Sequence, residues 1–150
     1  MESLDHSYKQ RLEHALGWLE LANVPDAMAE LRDLPDTVRQ HPDTLEVRWK
    51  IHAAQQDWGT CVAISRILTD LAPERASAWK DLVVALNAIG CAEEAYVILS
   101  GVLGRFRGDC TLRLAMAHLC VSLEKHSEAN AWLSIVGEHM NAQQCGRVLA

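Results

Sequence analysis

Seven histidines and five cysteines are the side chains of this 150-residue chain with the chemistry to hold a metal or attack an electrophile. The first task shows itself as short, fixed spacings, whereas the second needs partners that the fold brings together and sequence spacing does not settle. A zinc site needs ligands a helical turn or a tight loop apart, and a cysteine nucleophile needs a base and an orienting acid beside it. The cysteines Cys61, Cys91, Cys110, Cys120 and Cys145 lie far apart, with no CxxC, no HExxH and no two histidines four apart. His118 and Cys120 are two residues apart, so on a helix they face different ways. Cys91 follows Gly90 at a helix start, a place that lowers a thiol pKa, and it is assigned as a structural or exposed thiol. His52 and Cys120 fall in an apolar register and are assigned to packing. The expectation is no catalytic residue, no metal, no cofactor and no enzymatic activity. An odd cysteine count without close pairs gives no disulfide framework, which favours a reducing cytoplasm.

Charge narrows the partners. Fourteen Lys and Arg against twenty Asp and Glu give a formal charge of −6. The cations are scattered, Arg105 and Arg107 being the densest group, so neither nucleic acid nor an anionic membrane is an expected partner. Met1 to Gln10 carries charges and no apolar run, which reads as no signal peptide, and no stretch approaches the ~18 apolar residues of a membrane span. With 49% apolar residues the chain can bury a core, and its length suits one domain. A single Phe and two Tyr point to helices rather than sheets.

The elements that must position these residues recur. Small residues stand at Ala27, Cys61, Ala95 and Ala129, each 34 after the last. Four residues downstream come Leu31, Ser65, Leu99 and Leu133, and three further on Leu34, Leu68, Val102 and Val136. Upstream in the same phase are Trp18, His52, Leu86 and Cys120, and before them Ala15, Trp49, Val83 and Ala117. Spacings of three, four and seven make one stripe of a helix. Two stripes per repeat are split by a breaker: Asn23 with Pro25, Asp57, Gly90, and Lys125–His126–Ser127. Between repeats stand Pro35 and His41–Pro42, then Pro73, then Gly108. In the third repeat the helices are expected over about Ser77 to Ile89 and Ala92 to Gly104, with Gly90 as a left-handed cap. Asp36 is expected to cap a short turn through Val38. A lone hairpin cannot bury both faces, but stacked hairpins can, so the expected fold is all-α, a right-handed α-solenoid.

This pattern resembles the tetratricopeptide repeat (TPR). Trp79, Leu82, Val83, Leu86, Gly90, Ala95, Leu99 and Val102 sit at the family's motif spacings, and Leu45, Trp58, Cys61, Leu68 and Pro73 carry the second repeat. The first repeat departs at Arg11 and His14, and the fourth has Arg113 in the usual Trp place and no motif Gly. The expected organisation is a single domain over 1–150, with repeats near 8–41, 42–75, 76–109 and 110–143 and a C-terminal cap over 141–149 formed through Val148 and Leu149.

The resemblance implies a scaffold that binds an extended peptide or a partner helix in a concave groove lined by the first helix of each hairpin. The groove residues so assigned are Leu12, Leu16 and Leu19, then Glu46 and Lys50, then Lys80, Val84 and Asn87, then Leu114 and His118. The Lys and Asn pattern that clamps chaperone C-termini is missing, since Leu12 and Leu16 occupy the first-repeat places. Four of the five tryptophans fall on motif registers and read as packing residues. Trp132, beside Leu133, is off register and stands as a candidate surface contact. The partner class is therefore another protein. The rival reading is a self-associating repeat protein or a small acidic secretion-type chaperone, which would make it a homo-oligomer or the holder of an apolar segment.

Overall fold

The computed structural model describes residues 2–148, with side chains described through residue 140. Nine α-helices and one 3-10 turn occur, and no strand is present among the described residues. The chain falls into two compact units, Met1–Pro73 and Glu74–Ala150.

The N-terminal unit holds α1 (His6–Glu20), α2 (Val24–Glu30), α3 (Asp36–Arg39), α4 (Pro42–Ala54) and α5 (Trp58–Leu71). Local chemistry sets the helix starts. Asp5, Asn23 and Asp57 each accept a hydrogen bond from a backbone N–H of the first turn they cap. Pro25 and Pro42 occupy first-turn positions, where the missing N–H costs nothing. The α3 turn differs from expectation, for Pro35 is its N-cap and Asp36 lies inside the first turn without a capping bond. α1 pairs with α2, α4 with α5, and α1, α2 and α3 all pack on α4. Leu12, Ala15, Ala27, Leu34, Val38, Val47 and Ile51 share one core. Around α4 and α5, the Trp49 and Trp58 rings meet edge to face at 6.3 Å, and Cys61 Sγ lies 3.5 Å from the Trp49 carbonyl oxygen.

The C-terminal unit holds α6 (Ala76–Ala88), α7 (Ala92–Val102), a 3-10 turn (Leu103–Arg105), α8 (Cys110–Ser122) and α9 (His126–Val148). α7 ends two residues before the expected Gly104, because the last turn tightens to 3-10. α6 pairs with α7, α8 with α9, and both α6 and α7 pack on α8. Leu86, Leu99, Leu112, Met116 and Leu119 are fully buried there, and side chains of this size stabilise by about 1.5–3 kcal/mol each. α9 continues without a break through the stretch expected to form a separate cap. The side chains of that stretch, including Val148, and all of Leu149 lie outside the described residues.

The four anchor residues Ala27, Cys61, Ala95 and Ala129 are buried to 2% exposure or less. Their small size lets paired helices approach closely. The turns that join each pair also repeat. Ala22, Gln56, Gly90 and Glu124 all have φ between 56° and 83°. The next residue's N–H reaches back across the turn each time: Asn23 to Trp18 O at 2.8 Å, Asp57 to His52 O at 2.9 Å, Cys91 to Leu86 O at 2.8 Å and Lys125 to Cys120 O at 2.7 Å. A second bond links the left-handed residue itself to Leu19, Ala53, Asn87 and Val121. This is the Schellman motif, which satisfies the last carbonyls of the leading helix. It recurs every 34 residues although a glycine occupies only one of the four positions.

Candidate functional site

α1 and α4 lie side by side, and Leu16, Leu19, Glu20, Lys50 and Ala54 enclose an open recess of about 340 Å³ between them. Three of these are residues that the sequence assigned to the groove. The floor is apolar. Lys50 is exposed and has no ion-pair partner among the described residues, and Glu20 on α1 is also exposed. Such a recess accepts an apolar side chain and offers one cation and one carboxylate at its edge for backbone or charged contacts. Glu46 is half-buried one turn before Lys50.

Leu12 corrects the sequence assignment. It is 6% exposed and belongs to the core of the N-terminal unit, since it sits three residues before Ala15 on the same inward stripe. It is not available to a partner.

In the C-terminal unit the assigned residues lie on α6 and α8, which pack together. Val84 and Leu114 are 38% and 39% exposed, His118 is exposed and Asn87 is half-buried. Val121, at 52%, stands one turn beyond His118. Lys80 is engaged, for its Nζ lies 3.1 Å from Oδ1 of the buried Asp81. A carboxylate held out of water needs such a neighbour, so Lys80 has a structural task on α6.

The His41 side chain caps α4, and Cys61 and Cys120 are buried in the cores. Among the described residues no three His, Cys, Asp or Glu come together as a metal site. His52, assigned to the core, is half-buried and sits with Nδ1 3.1 Å from Asp57 Oδ2 across the α4–α5 turn. Side-chain and backbone hydrogen bonds from Thr60, followed by the His52 contact, outweigh burial and hold the Asp57 carboxyl below the usual range. Cys91 is the N-cap of α7 and makes no side-chain capping bond. Cys120 is buried, and burial, then Glu128, push its thiol up, which makes it a poor nucleophile.

Trp132 is half-buried rather than free, with its indole directed to the Glu128 carboxylate. Arg105 stacks over the Trp79 ring at 5.1 Å, so that cation covers a motif tryptophan. Sequence reasoning missed two features of the N-terminal unit. One is a recess of about 430 Å³ lined by Glu13, His14, Gly17, Trp18, Leu21 and Glu30, with His14 Nδ1 4.0 Å from Glu30. The other is a smaller recess of about 220 Å³ lined by Met28, Leu31, Arg48, Ile51 and His52. The cation in the smaller one sits between Val47 and Trp49 in a helix that is otherwise largely buried, a local oddity the sequence does contain.

No protein-family model and no curated protein sequence matches the chain. Among solved structures, the fold is similar to that of MamA MSR-1 C2, a TPR-containing protein, with a TM-score of 0.71 at 16% sequence identity. The likeness covers 93% of this chain and 82% of that one. The chain therefore has an all-α, TPR-like fold. No helix among the described residues is long and apolar enough to cross a membrane.

Proposed function

We propose that this protein is a non-enzymatic interaction scaffold of four TPR-type repeats, two of them degenerate, that binds a peptide or helix of another protein on the faces formed by the first helices of its hairpins. The recess between α1 and α4 carries this reading, because it pairs an apolar floor of Leu16 and Leu19 with an unengaged Lys50. The exposed Val84, Leu114 and His118 on α6 and α8 offer the same kind of surface in the C-terminal unit. The TPR-like fold supports a protein partner. A cytoplasmic setting agrees with the acidic, cysteine-scattered sequence.

The test is affinity capture from the source cell with the wild type, Lys50→Glu and Val84→Asp. All three are expected to keep the same helicity and melting temperature, because both positions are exposed. A partner held by the wild type and lost from either variant supports the reading. Equal capture by all three overturns it.

A second reading, self-association or an acidic secretion-type chaperone, draws on α9. Leu133 and Met140 are 44% and 53% exposed, whereas Leu99 at the matching place on α7 is fully buried. Sedimentation across a concentration series separates the two, since a monomer at high concentration removes self-association.

A further inference from the structure

We propose that the recess of about 220 Å³ between α2 and α4 binds an acidic side chain carried next to an apolar one on a segment of a partner protein. Its walls are Met28, Leu31 and Ile51, and its polar groups are Arg48 and His52. The two polar groups are not equivalent. His52 is already held by Asp57 at 3.1 Å. Arg48 has no hydrogen-bonded or ion-paired partner among the described residues.

Its nearest influence is unfavourable. Burial, followed by repulsion from Arg39, pushes the Arg48 guanidinium below its ordinary pKa. Arg39 is itself engaged, donating to the Leu34 carbonyl at 3.2 Å and lying 3.7 Å from Asp36. A guanidinium that is half out of water, faces a second guanidinium and lacks a carboxylate is complementary to an incoming anion. The three apolar walls add that the anion arrives with a hydrocarbon neighbour, and the volume suits side chains rather than a cofactor. Arg48 and Lys50 are two residues apart on α4, so this recess and the α1–α4 recess open on roughly opposite sides of the helix.

The probes are acetyl-Leu-Glu-amide, its neutral analogue acetyl-Leu-Gln-amide and inorganic sulfate, titrated into the full chain while backbone amide shifts are followed at Leu31, Ile51 and His52. The acidic dipeptide is expected to shift these signals saturably. The Gln analogue should bind at least about tenfold more weakly, the factor expected for losing one charged hydrogen-bond pair. Arg48→Met keeps the apolar stem and removes the charge. It should erase the preference for the acidic dipeptide while leaving the melting temperature unchanged or raised, and Arg107→Glu, at an exposed cation of the C-terminal unit, should leave the preference intact. Equal binding of the two dipeptides, a retained preference in Arg48→Met, or equally tight shifts with sulfate would overturn the proposal. So would a lowered melting temperature in Arg48→Met, which would make Arg48 a structural cation. The comparison of acidic and neutral dipeptides is read on the wild-type chain and does not depend on how the variant folds.

Discussion

Tyr96 Oη donates a 2.7 Å hydrogen bond to Glu128 Oε1, joining the second helix of one hairpin to the second helix of the next. Lys125 Nζ sits 3.8 Å from the centre of the Tyr96 ring on the same patch. The Tyr96 bond first, with Trp132 and Lys125 behind it, holds the Glu128 carboxyl below its usual range against the opposing effect of burial. A depressed carboxyl stabilises the fold above its unfolded pKa, and that stability is lost as pH falls through the folded value. Tyr96→Phe is therefore expected to lower the urea midpoint at neutral pH and to shrink the further drop on acidification below about pH 4. Urea unfolding at the two pH values checks this, and an acid drop as large as that of the wild type would refute it.

The hairpin turns predict which substitutions stabilise. Ala22, Gln56 and Glu124 hold a left-handed backbone that L side chains adopt at a cost of about 1–2 kcal/mol. Each changed to Gly is expected to gain about 0.5–1 kcal/mol, after the entropy that glycine adds to the unfolded chain. Gly90→Ala is the mirror experiment. Nothing lies within 4 Å of the added Cβ, so its expected loss of about 1 kcal/mol is conformational rather than steric. Chemical denaturation of the four single variants tests the set.

Ala95 is fully buried among the helix contacts of the C-terminal unit. Ala95→Trp should overpack that contact and cost about 1–3 kcal/mol or more. A melting curve like that of the wild type would show that the position has room.

Thiol reactivity should follow burial. Cys91 and Cys110 are partly exposed, whereas Cys61 and Cys120 are buried. Brief iodoacetamide treatment of the folded protein is expected to label Cys91 and Cys110 and to spare Cys61 and Cys120 until denaturant is added. Mass spectrometry of the digest reads the order, and early labelling of Cys120 would contradict it.

Much of this architecture is written in the spacing of small residues. Ala27, Cys61, Ala95 and Ala129 are buried where the 34-residue period placed them, because small side chains let paired helices approach closely. The turns are less legible. Gly90 advertises its conformation, but Ala22, Gln56 and Glu124 adopt the same one through backbone bonds, and no side chain there signals it. Leu12 had a readable signal, its three-residue step to Ala15, which outranks any groove assignment borrowed from a resemblance. Arg48 is visible in the sequence as a cation between Val47 and Trp49, but its want of a counter-charge is not. That depends on Arg39, nine residues earlier in the chain, being the charge that acts on it in the folded protein.

The recurring turn also bears on how the polypeptide folds during synthesis. Each turn is fastened by bonds between residues no more than five positions apart, as from Cys91 back to Leu86. Closing a hairpin thus needs no distant segment, and such local closure is fast. On the ribosome, each pair of helices can zip together as it clears the exit tunnel, before the pair behind it has been translated.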